Sequence, residues 1–434
     1  MTRGKPERWQ AITLALLIAG YAGYYLCRSN LSVTMPLLTA DLTKTGMDAA
    51  EARIRLGTVA SIGVFAYALG KFPSGALADI FGGKANFLIG MAGAIVFTIL
   101  FALAGGVNAL TFAWAGNRLL QSLGWAGAIQ IVSRWFSWRR YGTVMAAVSM
   151  SYLFGDAIAR QFMAVLLGYA FSWRAVFFTC AAVLTCLFAI CLIWLHESPS
   201  SVGGVEAETV PDSLASGIDE SDKRNWWTLA RPLFQSQRFL IVCGISLGAT
   251  LMRETFGLWT PTYFMEAAKL TQGEAAAQSS VFSLLGGVSV LLCGWLSDRL
   301  GKSGRAVLIC SGLLVAGLLL TGLAAGMGSR SPIIAVAFVA AIGFFTIGPY
   351  SFLAGAISLD LGGKRASGTA SGIIDGIGYL GGVLAGDSMA RVSVSFGWTG
   401  AFGMLAAVAF AASIAAFFLT MGERKEVVIN VSGH

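Results

Sequence analysis

The stretch GALADIFGGK occupies residues 75–84, and a similar stretch, GWLSDRLGKSGR, occupies residues 294–305. Each places an aspartate four residues after a glycine and continues with a second glycine and a lysine. Self-similarity between distant parts of a chain indicates a structural repeat. Glycine allows a tight turn, and aspartate can cap or charge-pair with a neighbouring helix end. The two copies predict two related halves, with Asp79 and Asp298 as structural latches in short loops rather than ligand contacts.

Each copy follows a long apolar segment, and such segments fill most of the chain. Hydrophobic residues make up 56% of the 434 residues and charged residues 12%, which is too apolar for a water-soluble globule. Segments of about 20 apolar residues can cross a bilayer as helices, and the 54 glycines allow such helices to pack closely. The sequence predicts an all-α membrane protein with about twelve spanning helices in two bundles of about six. The predicted spans are 11–38, 56–80, 86–106, 108–132, 142–170, 174–195, 238–264, 276–298, 305–327, 331–357, 367–391 and 398–420.

A polar segment separates the two sets of spans. Residues 196–232 are rich in Ser, Gly, Asp and Glu, a composition typical of a solvated linker. We therefore expect an N-terminal bundle at 1–195 and a C-terminal bundle with a short tail at 233–434. Basic residues such as Lys84 and Arg305 fall in loops on the side of the N-terminus, which the positive-inside rule assigns to the cytoplasm. Both termini are expected to be cytoplasmic.

The first span carries a charge in its apolar interior. Arg28 lies in the stretch YAGYYLCRSN, residues 21–30, and shares a helical stripe with Tyr21 and Tyr25. An ionised side chain within a membrane helix faces protein, water or a ligand, and it marks a functional site by default. We interpret this stripe as one wall of a polar site near the membrane midplane.

A second arginine occupies the equivalent helix of the second half. Arg253 and its first-half counterpart can meet across a central cavity if the halves are related by an approximate two-fold axis. Guanidinium groups suit bidentate contact with a phosphate or phosphonate dianion, and Lys71 adds a compact positive charge. The structural alternative is that the arginines pair with acidic residues to stabilise the bundle; the candidates are Asp156, Glu254 and Asp375.

The paired loop motifs resemble those of the major facilitator superfamily. Within it, GYAGYYLCRSN followed by Met35 and Pro36 is similar to the first span of the organophosphate:phosphate antiporters, the group of the glycerol-3-phosphate and glucose-6-phosphate transporters. The resemblance covers nearly the whole chain. It implies a secondary transporter that works by alternating access and is not an enzyme. The candidate substrate-binding residues that the resemblance implies are Tyr21, Tyr25, Arg28, Tyr67, Lys71, Gln121, Arg253 and Tyr379.

Some features of the chain depart from the family pattern or belong to the superfamily as a whole. Ser151 stands where the family keeps a histidine on the fifth helix. Asp156 and Arg160 come after Ser151 and are four residues apart, so their two charges can neutralise each other inside the bundle. Arg118, like its neighbour Gln121, resembles a general superfamily motif on the fourth helix, for which packing and gating roles both stay open.

Asp375 is a candidate that the family does not explain. It lies four residues before Tyr379, so both side chains should face the same cavity. Three roles stay open: a counter-charge for Lys71 or Arg253, a proton carrier, or a receptor for a cationic group on the substrate. The last role would favour aminophosphonate-like or phosphoamine compounds over plain sugar phosphates.

The expected function is exchange of a small phosphorylated or phosphonate organic anion for inorganic phosphate. The alternatives are proton- or cation-coupled symport of an organic anion, and a transporter-like sensor that binds a sugar phosphate. The seven cysteines lack metal-ligand spacing and the chain has no nucleotide-binding loop, so we expect no metal and no cofactor. The net charge of +8 reflects loop bias rather than a nucleic-acid partner. We expect a monomer in the lipid bilayer of a bacterial inner membrane.

Overall fold

A computed structural model describes residues 4–204, 226–300 and 302–432. Most of the predicted linker, residues 205–225, lies outside the described residues. The α-helices are α1 (Gly4–Lys44), α2 (Ala49–Phe81), α3 (Gly83–Leu103), α4 (Val107–Gln121), α5 (Leu123–Trp135), α6 (Trp138–Gly168), α7 (Trp173–Trp194), α8 (Trp226–Gln235), α9 (Gln237–Glu266), α10 (Gln272–Leu300), α11 (Lys302–Ala324), α12 (Pro332–Tyr350), α13 (Ser358–Leu384) and α14 (Asp387–Ser432).

The predicted spans all coincide with helices. The span at 108–132 is divided into α4 and α5, with Ser122 between them. In the part of the chain that the structure describes, nine helices are long and apolar enough to cross a membrane, and one of these runs from Thr369 to Met421 across two predicted spans. Within α14, Gly397 has a φ of +67°, a left-handed conformation that breaks the regular helix.

Large apolar side chains lie on the surface as well as in the interior. Phe72 and Ile333 are 78% and 79% exposed, whereas Phe87 and Phe264 are fully buried. Leaving a large apolar side chain in water instead of burying it costs about 1.5–3 kcal/mol. A hydrocarbon surround removes that cost, so this surface suits a lipid bilayer.

The described residues form two compact units. The first unit contains the described parts of Met1–Gly217 and Gln272–Ser280, and the second contains those of Ile218–Thr271 and Val281–His434. The first turns of α10 therefore belong to the first unit, although the rest of that helix belongs to the second. The bundle boundaries expected at residues 195 and 233 stay a prediction.

Within each unit, contacts join helices that are distant in sequence. In the first unit α1 packs against α6 and α7, α2 against α4, and α3 against α4, α5 and α7. In the second unit α9 packs against α13 and α14, and α11 against α12 and α14. Further contacts of α1 with α2 and of α9 with α12 bring α1, α2 and α4 together in one unit and α9, α12 and α13 in the other.

Helix α8 begins in the predicted linker and extends three residues beyond its expected end at residue 232. Its Ala230 and Leu233 are buried, and the helix packs against α9 and α13. The helix has only ten residues and contains Arg231 and Pro232, so it lacks the long apolar run on which the span predictions depend.

Candidate functional site

Tyr67 lies at the centre of a group of positive charges in the first unit. Its ring centroid is 4.5 Å from Cζ of Arg28 and 4.8 Å from Cζ of Arg118. The Nζ atom of Lys71 is 5.5 Å from the same centroid. We call these four residues the first-unit cluster. It is assembled from α1, α2 and α4.

Local sequence on α2 explains how the cluster is assembled. Tyr67 and Lys71 are one helical turn apart, so they share a face. Tyr67 is buried on that face, with 3% of its surface exposed. Gly70 lies where α2 meets α4, and a Cβ atom at this position would be 2.8 Å from the carbonyl oxygen of Leu119. The glycine therefore permits the close helix approach that brings Arg118 to the ring of Tyr67.

The predicted stripe of α1 forms a continuous run of contacts. The Cζ atom of Arg28 is 5.2 Å from the ring centroid of Tyr25, and its guanidinium also donates a hydrogen bond to the hydroxyl of Tyr67. The ring centroids of Tyr25 and Tyr21 are 6.2 Å apart. Tyr21 in turn lies 5.2 Å from the ring of Trp125 on α5. The stripe thus connects Arg28 to an aromatic patch rather than to lipid.

Gln121 ties α4 to the backbone of α1 beside the cluster. Its Nε2 atom donates to the carbonyl oxygen of Cys27 at 3.1 Å and to Oδ1 of Asn117 at 2.6 Å. Its Oε1 atom is buried and has no hydrogen-bond partner among the described residues. A buried acceptor without a donor costs about 1–3 kcal/mol. The hydrogen bond from Gln121 to the backbone of α1 supports the position of Arg28 on that helix. Contact of Gln121 with a substrate stays a prediction.

The three cations of the first-unit cluster repel one another. The Cζ atoms of Arg28 and Arg118 both lie near the ring of Tyr67, so they are at most about 9 Å apart, which corresponds to a repulsion of at least about 2 kcal/mol at an effective dielectric constant near 20. The negative face of the Tyr67 ring offsets part of this repulsion. A bound dianion would offset more of it, so the arrangement is suited to an anion.

The second unit holds its arginine in different surroundings. Nη2 of Arg253 lies 2.7 Å from Oε1 of Glu254, and its Cζ is 4.8 Å from the ring centroid of Tyr350. The Asp375 carboxylate and Tyr379 also interact electrostatically with this guanidinium. We call these five residues the second-unit cluster. Helices α9, α12 and α13 supply it.

One donor of the second-unit arginine lacks an acceptor. The Nε atom of Arg253 is buried and has no hydrogen-bond partner among the described residues. Asp375 and Tyr379 are one turn apart on α13, and Tyr379 is buried. That both side chains face one cavity stays a prediction. The role of Asp375 as a counter-charge, proton carrier or receptor stays a prediction. The meeting of Arg28 and Arg253 across a cavity stays a prediction.

The charged pair on α6 is buried in the first unit. Nε of Arg160 lies 2.8 Å from Oδ2 of Asp156. The hydroxyl of Ser29, next to Arg28, donates to the other oxygen of Asp156. Arg160 also donates to Ser279 at 3.1 Å. The pair thus neutralises itself and joins α1 to α6 and to the first turns of α10.

The loop motif between α2 and α3 uses a partner that the sequence analysis missed. Asp79 is exposed, and its Oδ1 accepts a hydrogen bond from Gln130 at 3.5 Å. The N-terminus of α3 is instead capped by Glu197, which accepts from the backbone nitrogens of Gly83 at 2.9 Å and Lys84 at 2.6 Å. A carboxylate at a helix N-terminus satisfies free N–H groups and complements the helix dipole. The latch role of Asp79 stays a prediction.

The second loop motif is also bound by a remote carboxylate, through a side chain instead of the backbone. Asp298 is exposed, while Nη1 of Arg305 pairs with Oδ2 of Asp360 at 2.7 Å and its Nε donates to Ser297 at 3.1 Å. Glu197 lies beyond the end of α7 and Asp360 lies in the first turn of α13, and both are remote in sequence from the motifs they bind. Their only sequence signal is an acidic residue beside a predicted span, which alone does not identify a partner.

The chain has known relatives along nearly its full length. It is 27% identical to the "Probable hexose phosphate transport protein" of Chlamydia trachomatis over 94% of this chain and 90% of that protein. It is 27% identical to the "Glycerol-3-phosphate transporter" of Bacillus subtilis over 90% of this chain and 87% of the relative. It is also 26% identical to the "Membrane sensor protein UhpC" of Salmonella typhimurium, over 95% and 91%.

A solved structure shares the fold. The crystal structure of a bacterial homologue of the human lysosomal transporter Spinster superposes with a TM-score of 0.71 at 17% identity, covering 96% of this chain and 97% of that one. Long apolar helices with lipid-suited surfaces and charged side chains in their interior are typical of a polytopic membrane protein. The chain belongs to the Major Facilitator Superfamily, whose sequence profile matches residues 17–386.

These findings bear on several predictions from the sequence. The all-α major facilitator fold is confirmed, and so is a transporter class rather than an enzyme. The resemblance to the organophosphate:phosphate antiporters is also confirmed, because the relatives include a hexose phosphate and a glycerol-3-phosphate transporter. The protein is an integral multi-pass membrane protein.

Proposed function

We propose that this protein exchanges a small phosphorylated or phosphonate organic anion for inorganic phosphate across the membrane by alternating access. The observation that carries the proposal is the first-unit cluster, in which three cations lie around the ring of Tyr67. Guanidinium and ammonium groups of this kind suit a phosphate dianion. The names of the relatives, a hexose phosphate and a glycerol-3-phosphate transporter, support the same substrate class.

Exchange rather than net transport follows from the charges. Without an anion, the first-unit cluster keeps the mutual repulsion of Arg28, Lys71 and Arg118, and a conformational change that tightens the cluster raises that repulsion. A bound dianion lowers it, so the carrier crosses between its states more readily when loaded. Phosphate and the organic anion each satisfy this condition, and the empty carrier does not.

The setting of this transport is also part of the proposal. The basic loops favour cytoplasmic termini, and bacterial relatives such as those of Bacillus subtilis and Salmonella typhimurium support a bacterial inner membrane. The protein acts as a monomer in the lipid bilayer. Its partners are the organic anion and inorganic phosphate.

A second candidate function is sensing, because one relative carries the name of a membrane sensor protein. A sensor binds the phosphorylated ligand but does not need to move it. Binding alone therefore does not separate the two functions, whereas flux does.

Uptake into proteoliposomes tests the proposal. Vesicles loaded with unlabelled phosphate are expected to accumulate labelled phosphate and labelled glycerol-3-phosphate, while vesicles without internal anion are not. Uptake that requires a pH gradient instead of internal phosphate would replace exchange by proton-coupled symport. Tight binding without uptake under either condition would favour the sensor.

A further inference from the structure

Helix α10 has one face packed against α12 and an opposite face that is exposed and apolar. On the packed face Gly286 lies against Ile347, and Ser289 donates a hydrogen bond to the carbonyl oxygen of Phe344. Helical periodicity places a row of large exposed side chains on the other side. These are Leu284, Val288, Leu291, Leu292 and Trp295. We call this row the α10 stripe, and its composition suits the acyl chains of lipids.

An arginine continues the α10 stripe at the end of the helix. Arg299 lies one turn beyond Trp295, and its Cζ atom is 3.9 Å from the ring centroid of that indole. Both side chains are exposed. Tryptophan is enriched at membrane–water interfaces, and long basic side chains extend along apolar surface to place their charge there. This end of the stripe therefore suits the level of the lipid headgroups.

The guanidinium of Arg299 has its hydrogen-bond donors available. Among the residues that the structure describes, its recorded interaction is the contact with the Trp295 ring, and no carboxylate pairs with it. A guanidinium that lies over an indole keeps its in-plane N–H groups for a planar or tetrahedral oxyanion. The side chain thus presents a positive charge, held by an aromatic ring, next to an apolar surface.

The equivalent helix of the first half lacks this arrangement. Helix α2 precedes the first copy of the loop motif as α10 precedes the second, and the aligned motifs place Ala76 and Ile80 where α10 has Trp295 and Arg299. Ile80 is 72% exposed, so the exposed face of α2 ends in an apolar side chain without a charge. The Trp–Arg pair is therefore a feature of the second half and not a general consequence of the repeat.

We propose that Trp295 and Arg299 form a binding site for the phosphate group of an anionic phospholipid, in the leaflet on the side of the basic loops. The guanidinium donates to the phosphate oxygens, the indole holds the guanidinium in place, and the acyl chains lie along the α10 stripe. Charge complementarity supports an anionic lipid, because the lipid supplies the negative charge that Arg299 lacks among the described residues. The inference does not depend on the proposed transport.

Lipid binding to the purified full-length protein tests the inference. Native mass spectrometry would follow protein with added phosphatidylglycerol. Arg299→Gln is expected to weaken phosphatidylglycerol binding about tenfold, because the charge-assisted contact with phosphate is lost. Trp295→Leu keeps an apolar side chain and removes the ring, so it is expected to weaken binding about threefold. Phosphatidylglycerol binding that is unchanged in Arg299→Gln overturns the inference.

Arg174→Gln is the matched control. Arg174 also lies over a tryptophan ring, 4.1 Å from the centroid of Trp173, but it is paired with Asp41 at 3.1 Å. The variant removes the same charge from an arginine whose donors are already used, so phosphatidylglycerol should bind to it as to wild type. Equal weakening in Arg174→Gln and Arg299→Gln would mean that net charge alone attracts the lipid, and it overturns the inference. Displacement of the lipid by an equal concentration of inorganic phosphate would assign the site to the free ion and overturns it as well.

Discussion

The two arginines that the sequence singles out lie in opposite electrostatic surroundings. In the first unit Arg28 shares the ring of Tyr67 with Lys71 and Arg118, whereas in the second unit Arg253 lies over the ring of Tyr350 and is paired with the carboxylate of Glu254. Each arginine lies over a tyrosine ring, so the two sites share the aromatic contact. They differ in the charges of the neighbouring side chains. A repeat in the sequence therefore does not imply a repeat in chemistry. We infer that the first-unit cluster supplies most of the attraction for an anion.

Arg28→Lys is expected to have the largest effect. An ammonium cannot form the two parallel hydrogen bonds that a guanidinium makes to phosphate, and it loses the planar contact with the ring of Tyr67. Phosphate affinity should fall by at least about 100-fold, with little loss of folded protein. Phosphate titration of the purified variant measures this. The control is Arg174→Lys, since Arg174 forms an exposed pair with Asp41; wild-type affinity in Arg28→Lys would break the comparison.

Arg253→Lys is expected to lower phosphate affinity less, by between about 10-fold and 100-fold. The carboxylate of Glu254 already accepts a hydrogen bond from the guanidinium of Arg253. The substitution therefore removes fewer hydrogen bonds between this residue and phosphate. The same titration applies, with Arg391→Lys as the control at an exposed pair with Asp387. A larger loss for Arg253→Lys than for Arg28→Lys would reverse the assignment of the main anion receptor.

Lys71→Met sharpens the comparison by removing one of the three cations. The loss of a charge-assisted contact should raise the KM for phosphate exchange about tenfold. Removal of the charge also lowers the repulsion in the empty cluster, so the variant should leak more phosphate than wild type. Vesicle flux assays measure both effects, with Lys44→Met at an exposed helix end as the control. An unchanged KM would exclude Lys71 from the site.

Tyr67→Phe is expected to have the smallest effect. The substitution keeps the ring on which three cations lie and removes only the hydroxyl that accepts from Arg28. A single hydrogen bond contributes about 0.5–1.5 kcal/mol, so affinity should fall about two- to tenfold. Tyr169→Phe, at a residue that is 77% exposed, is the matched control. A loss as large as that of Arg28→Lys would mean that the hydroxyl itself contacts the ligand.

The sequence predicted the helices well because membrane spans are long and apolar. Every predicted span coincides with a helix, and the stripe from Tyr21 to Arg28 forms the expected contacts. Helix α8 was missed because it is short and contains Arg231 and Pro232. No strong sequence signal marks the division of one span into α4 and α5 either, because serine, the residue type at Ser122, also occurs inside helices.

Contacts between distant helices were the part that the sequence could not supply. Tyr350 lies on α12 and reaches Arg253 on α9, and Glu197 caps α3 from beyond the end of α7. Helical periodicity indicates which residues share a face but not which face of another helix meets it. The resemblance identified Arg253 and Tyr379, and Glu254 was among the candidate partners, whereas the contact of Arg253 with Tyr350 became evident only from packing.

Efflux of labelled phosphate from proteoliposomes tests the central claim most directly. Vesicles that contain the wild-type protein and labelled phosphate would be diluted into buffer with or without external phosphate. We expect rapid efflux with external phosphate and almost none without it, because the empty carrier keeps the repulsion among its cations. Substantial efflux into phosphate-free buffer would contradict obligatory exchange.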